Sequence, residues 1–341
     1  MRKSLPTLRD VALRAGVSIG TASHVLNGKG IVSDARRDLV LRAATDIGYR
    51  ANRVARSLRQ RRTHVVGFCA PMISSAYFSA FTEAVHEHSA VFEHHVMQVL
   101  SGGDPVQEFE RVESLLSRQV DGIILMPSAQ PAATLDLIAQ SHVPAVIVDR
   151  ILADERFDIV LLDHEAAMRD VIAHLVGLGH ERILFIVRHP DLVTTRVRIA
   201  TLLAADGIKP EILATTNEHD DLPAALSERL SGRDAVTAII TSNSINTLWT
   251  LRTLRGLGIG IPDDVSIVAF DEPAWGELVE PPLTVVRQPT GAIAASAWRL
   301  LMERIAAAAS PRSHIMLRNE LIVRGSTSEP RRSRQARRSV R

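Results

Sequence analysis

The sequence predicts an N-terminal all-α helix-turn-helix headpiece joined to an α/β body of two doubly wound parallel-sheet subdomains. Three observations predict it. The first sixty residues read as short helical patterns separated by turn signals. From Val65 onward, short β-branched runs alternate with longer helical stretches. Charge is also divided along the chain. Residues 1–62 carry 14 Lys+Arg against 4 Asp+Glu, residues 63–329 carry 20 against 34, and residues 330–341 carry 6 Arg and no acid. A basic head on an acidic body suits a nucleic-acid module joined to a domain that avoids nucleic acid, although charge alone fits a solvated basic face equally well.

In the head, Thr7 caps a first helix and Asp10 completes a capping-box pattern. Leu8, Val11, Ala12 and Ala15 recur at helical spacing, and Gly16 ends the helix. Val17 is placed in a buried turn, and Ser18 caps a second short helix, Ile19 to Leu26. Asn27-Gly28-Lys29-Gly30 reads as a loop. Ser33 caps a third helix with Leu39, Val40, Ala43, Ala44 and Ile47 inward and Gly48 at its end. Two short helices about a glycine turn, with a third in support, make a helix-turn-helix.

The runs TLRDVALRAGVSIGTASHVLN and VSDARRDLVLRAATDIGYRANRVARSLR closely resemble the opening of the lactose/galactose repressor family of transcription regulators. The resemblance implies that Ile19 to Val25 is a recognition helix in the major groove, with Ile19, Gly20 and His24 at base-reading positions. It places Ser18, Thr21 and Ser23 as hydroxyl donors to phosphates, which position without specifying. Thr7, Asn27 and Tyr49 are DNA-facing by the same resemblance. Ala22 and His24 depart from the commoner Val and Arg of the pattern. Gly20 has no side chain to offer, Ile19 can meet only a thymine methyl, and His24 can serve a base edge or a phosphate. Asn52-Arg53-Val54-Ala55-Arg56-Ser57-Leu58-Arg59 matches the family's hinge helix. There Asn52 and Arg53 match the pattern, Ala55 is small enough for a minor-groove approach, and Leu58 sits at the wedge position that unstacks a base step. Arg59, Arg61 and Arg62 add salt-sensitive phosphate affinity.

In the body, strands are expected at Val65–Cys69, His95–Val99, Gly122–Met126, Ala145–Val148, Ile159–Leu162, Ile183–Val187, Ile212–Thr215, Ala238–Thr241 and Ser266–Phe270. Helices are expected between them, among them Phe78–Ser89, Pro105–Arg118, His164–Leu178, Thr194–Ala205, Asn243–Leu257 and Pro289–Ala308. Strands apolar on both faces are buried parallel strands. DGIILMP, PAVIVDR, HLVGLGHERILFI, LRGLGIGIPDDVSIVAFDE and PPLTVVRQP carry the family resemblance onward, and it implies a periplasmic-binding-protein-like body. It places Arg196, Asp271 and Asn243 on effector-binding positions. A guanidinium fork and a carboxylate can bracket vicinal hydroxyls. Tyr77, Phe78 and Trp275 are offered as apolar walls, and Asp149 and Arg150 as cleft residues or a structural ion pair. Ser244 stands where the family has aspartate and reads as a local packing change.

Other chemistry is not supported. Gly256-x-Gly258-x-Gly260 leads to Pro262 and reads as a helix-to-strand turn. His86, His88, His94 and His95 lack the partners and spacing of a metal site. No cofactor, metal or catalytic group is expected, and the chain is not an enzyme. The single cysteine, Cys69, and the lack of a signal core or an apolar run of membrane length point to a cytoplasmic, nucleoid-associated protein.

The expected organisation is a DNA-binding domain at 1–50, a hinge at 51–62, an effector and dimerisation domain at 63–329 with strands crossing between its subdomains, and a disordered basic tail at 330–341. The expected function is a repressor that binds a pseudo-palindromic double-stranded operator as a homodimer, with a tetramer left open, and whose affinity is set by a small-molecule effector, a sugar or sugar derivative. The competing reading is a sugar-binding or sugar-modifying protein with the head as a dimerisation module. The missing signal peptide and nucleophile argue against it.

Overall fold

The computed structural model describes residues 6–27, 32–49, 62–150, 154–215, 221–307 and 311–330. The expected hinge residues Asn52, Arg53, Ala55 and Leu58 and the basic tail beyond Pro330 lie outside them. The chain divides into two compact units between Thr63 and His64.

The first unit holds α1 (Leu8–Ala15), α2 (Ile19–Leu26) and α3 (Asp34–Asp46). The capping box forms: the Asp10 amide donates to Thr7 Oγ1, and the Thr7 amide donates to Asp10 Oδ2 at 2.8 Å. The Thr7 amide and hydroxyl, both donating to the Asp10 carboxylate, hold it below its ordinary pKa. Gly16 ends α1 at φ 65°, a left-handed cap that glycine adopts without strain. Val11, Ala12, Ala22, Val25, Val40, Ala43 and Ala44 form the core of this unit. Two expectations need correction. Ser33 precedes α3 but makes no side-chain capping bond. Leu39 is 53% exposed, because Val40, Ala43 and Ala44 already fill the inward face of α3.

The second unit contains two six-stranded sheets. The first lobe is built from β1 (Val65–Ala70), α4 (Ala76–Val91), β2 (His95–Leu100), α5 (Pro105–Ser117), β3 (Gly122–Leu125), α6 (Ala132–Ser141), β4 (Ala145–Val148) and β5 (Asp158–Leu162). The second follows with α7 (His164–Gly177), β6 (Arg182–Val187), α8 (Val193–Leu203), β7 (Lys209–Ala214), α9 (Leu222–Arg229), β8 (Ala238–Thr241), α10 (Ser244–Gly256), β9 (Ser266–Phe270), a 3₁₀ turn (Ala274–Glu277) and β10 (Thr284–Arg287). Then α11 (Thr290–Ala306) and β11 (His314–Leu317) return to the first lobe, and β12 (Glu320–Ile322) ends in the second.

The sheet orders are β2-β1-β3-β4-β5-β11 and β7-β6-β8-β9-β10-β12. Pairing is parallel in the first sheet. In the second, only β12 runs antiparallel to its neighbour. Both sheets are sandwiched by helices, so their central strands bury both faces. Gly122 allows α11 to lie close on β3, since a Cβ there would stand 2.8 Å from Leu301 Cδ1. β7 begins three residues before its expected start because it tolerates Pro210 as an edge strand paired only to β6. α6, β10, β11 and β12 are additional to the segments singled out from the sequence.

Two buried polar clusters tie distant segments together. Arg304 of α11 donates from Nε and Nη2 to the Asp158 carboxylate, each at 2.9 Å, which fastens the returning helix to β5. His180 meets Thr237, Ser266 and the Ser328 carbonyl, pinning the C-terminal segment to the second sheet. No helix among the described residues is long and apolar enough to cross a membrane.

Candidate functional site

Two surfaces arise from these folds, one on each unit. On the head, α2 buries Ala22 and Val25 and leaves Ile19, 51% exposed, with Gly20 and His24 on its open side. Ser18 and Thr21 do not stand as independent donors. Ser18 Oγ accepts from the Thr21 amide at 3.1 Å and lies 2.9 Å from Thr21 Oγ1, so one of the two hydroxyl protons is used locally. Asn27 donates to the Ser23 carbonyl at 2.6 Å and to Ser23 Oγ at 3.2 Å, which closes the end of α2. Thr7 Oγ1 donates to Asp10 Oδ2 at 2.7 Å. Tyr49 is half-buried and packs against the head core.

In the body, a cleft lies at the carboxyl ends of the strands, where open α/β sheets place ligands. Its interior volume is about 90 Å³, and it opens to solvent at its mouth. Residues following β1, β4, β6, β8, β9 and β10 line it: Met72, Asp149, Arg188, Ser242, Asp271 and Gln288. α4 contributes Tyr77 and Phe78, and α8 contributes Thr194, Thr195 and Arg198.

The two carboxylates occupy matching places. Asp149 follows β4 at φ 61° and Asp271 follows β9 at φ 71°; both are left-handed non-glycine positions that the surrounding contacts must hold. Asp149 takes Arg150 Nη1 at 2.9 Å and His164 Nε2 at 3.2 Å. Burial pushes its carboxyl up, but the His164 bond and the Arg150 charge outweigh burial and leave it below its ordinary pKa. Arg150 Nε also donates to the Pro127 carbonyl at 3.0 Å. Asp271 accepts from the Ser244 amide at 3.2 Å and from the Gln288 amide group. Burial pushes its carboxyl up to about 6, against the opposing Ser244 bond and the charge of Arg198.

Arg198 is a second buried arginine of the cleft, beside Arg150. Nη2 donates to His164 Nδ1 at 2.9 Å, Nη1 donates to the Ser242 carbonyl at 3.2 Å, and the guanidinium lies 3.9 Å from the Phe270 ring centroid. Its Nε and the Tyr77 hydroxyl are buried without a hydrogen-bond partner among the described residues. Such donors cost free energy until something accepts from them.

The structure changes some of the expected assignments. Arg196 is exposed on α8 and does not line the cleft; Arg198, two residues on, does. Trp275 packs on Ala269, Leu283 and Val285 in a small core of its own, and is not a wall of the cleft. Asn243 lines the cleft while its side chain caps α10 through the Asn246 amide at 2.9 Å. Asp149 and Arg150 form an ion pair and line the cleft as well. Ser244 is an interlobe contact: its Oγ accepts from the Ala76 amide at 3.0 Å. Arg198, His164 and Gln288 were not anticipated. A signal for the first existed, since Thr194, Thr195, Arg198 and Leu202 recur at the spacing of one buried helix face.

A helix-turn-helix unit and a two-lobed α/β body with a polar cleft are the architecture of a DNA-binding regulator. The bacterial regulatory proteins, lacI family, match residues 7–52, and the periplasmic binding protein-like domain matches residues 172–327. The transcriptional regulator MalR of Streptomyces coelicolor is 33% identical over 94% of this chain and 96% of its own. The transcriptional regulator CelR of Thermobifida fusca is 33% identical over 95% of this chain and 99% of its own. Among solved structures, a CelR–cellobiose complex aligns with a TM-score of 0.68 at 28% identity, covering 94% of this chain and 99% of that one. A lac repressor dimer bound to operator aligns with a TM-score of 0.85, covering 95% and 100%. At 24% identity, the latter match speaks for the fold. The chain belongs to the lacI family of transcriptional regulators.

Proposed function

We propose that the protein is a repressor that binds a pseudo-palindromic operator as a homodimer and whose grip on DNA is set by a sugar or sugar derivative held in the cleft. The observation that carries the effector half is that the cleft holds both Arg198, buried with an Nε that has no hydrogen-bond partner among the described residues, and Asp271, whose carboxylate makes no ion pair among them. A guanidinium and a carboxylate flanked by the aromatic rings of Tyr77 and Phe78 suit a polyol. The CelR structure with cellobiose supports the same class. The DNA half rests on the open side of α2, with Ile19 toward a base edge, His24 toward a base edge or a phosphate, and Ser18, Thr21, Ser23, Asn27 and Thr7 near the phosphates. Asn52, Arg53, Ala55 and Leu58 form the minor-groove hinge in this reading. A two-fold dimer requires a two-fold operator.

Selection of bound fragments from genomic DNA by the full-length protein tests this. A short pseudo-palindrome with a deformable central step is expected. Salt-sensitive recovery of every fragment, with no motif in the presence of a metabolite pool, would rule out sequence reading by the head.

A further inference from the structure

His164 is the first residue of α7, where the chain passes from β5 in the first lobe to the helix of the second. It is 3% exposed, and both ring nitrogens are engaged. A guanidinium only donates, so the 2.9 Å contact from Arg198 Nη2 requires a lone pair on His164 Nδ1. The ring proton then sits on Nε2 and is donated to Asp149 Oδ1 at 3.2 Å. The neighbours therefore fix the tautomer. A second proton could go only to Nδ1, where it would face an Arg198 N–H, donor against donor and cation against cation.

We propose that neutral His164 is the positioning residue that holds Arg198 in the effector cleft, and that protonation of its Nδ1 breaks this hold and makes the cleft acid-sensitive. The proposal rests on the effector reading of the cleft and adds a proton as a second input to it.

The surrounding charges are mixed. Asp149 favours the imidazolium, while burial, Arg198 and Arg150 oppose it, and the net direction is a pKa below the usual 6.5. Asp271 and Tyr77 act on Arg198 from β9 and α4. On its own helix, Asp163 is committed to the Ala166 amide at 2.8 Å, and Glu165 pairs with Arg169. The position at a helix N-terminus further disfavours a cation. A histidine depressed in the folded state binds fewer protons than in the unfolded chain. Its stabilising contribution is thus complete above about 6.5 and is lost as pH falls toward its folded value. Asp271, raised to about 6, has the opposite sign: its contribution is present in acid and is lost as pH rises through about 6. The two oppose each other in the same window, so only a difference between variants isolates His164.

The test uses the full-length protein with ¹⁵N-labelled histidine, the His164 signals being those missing from His164→Asn. At pH 7.5 the expected ring is neutral with its proton on Nε2, and it titrates below 6.5. A proton on Nδ1, or a charged ring at pH 7.5, overturns the proposal. Thermal melts of wild type and His164→Asn between pH 7.5 and 5.5 give the second readout. Tm of wild type relative to the variant is expected to fall by about 2–4 °C as pH drops. A constant difference overturns the proposal. If His164→Asn does not fold, His164→Gln, also unable to titrate, replaces it in both arms. Neither result bears on DNA reading, which the fragment selection measures separately.

Discussion

Arg196 and Arg198 are two positions apart on α8, about 200° of rotation around a helix. One therefore faces solvent while the other enters the cleft. Arg198→Ala removes a charged donor whose hydrogen bonds are worth ~1.5–3 kcal/mol, so effector affinity should fall about 10–100-fold. Arg196→Ala should leave it unchanged. Calorimetric titration of both variants with the effector checks this, and equal losses would remove Arg198 from the site. On the head, His24→Ala should alter base preference at one half-site position if His24 reads a base. A uniform weakening across sequences would assign it to phosphate instead. Residue type alone could not separate the two arginines, because both fit a helix surface. The separation needed the phase of α8, which Leu202 and Thr195 on the buried face set.

At the scale of elements, strongly periodic segments were legible. α2, β4, β8 and β9 lie at the bounds their patterns gave, because each has unambiguous punctuation: Ser18 before α2, and turns flanking the strands. β7 starts three residues before the expected Ile212, at a proline-containing stretch, and the edge position that tolerates Pro210 is a tertiary fact. The cross-lobe roles of His164 and Ser244 were not legible for a similar reason. They depend on contacts between the lobes, His164 with Asp149 and Ser244 with Ala76. The hinge makes its own prediction. Leu58→Ala should cost specific operator affinity more than affinity for unrelated DNA, since an apolar wedge acts only where a step unstacks. Binding curves on operator and random duplexes at one salt concentration decide it, and equal losses on both would discount the wedge.

At the scale of the molecule, the two lobes repeat one arrangement. β4 and β9 hold the same place in their sheets, and each is followed by a left-handed aspartate at the cleft. Among the described residues the chain crosses between lobes three times: before α7, before α11, and between β11 and β12. His164 and Gln288 sit at the first two crossings and both bond a cleft aspartate. A molecule in the cleft therefore touches the segments about which the lobes would turn, which gives an effector a route to the lobe arrangement. The returning helix depends on Asp158 and Arg304, buried and bonded at 2.9 Å. Asp158→Ala leaves a buried guanidinium unpaired and should destabilise the body by ~3–5 kcal/mol in urea unfolding. A loss under ~1 kcal/mol would show that the pair is dispensable.

The most direct measurement is operator affinity of the full-length wild type and Arg198→Ala, titrated with a panel of monosaccharides, disaccharides and sugar acids. Linkage requires that a ligand of the cleft shift DNA affinity, by about 5–150-fold for typical coupling. The account predicts such a shift for at least one ligand in wild type and its loss in Arg198→Ala, with ligand-free operator binding preserved. An equal shift in both proteins, or no shift in wild type with any member of the panel, would contradict control of DNA binding by a sugar in this cleft.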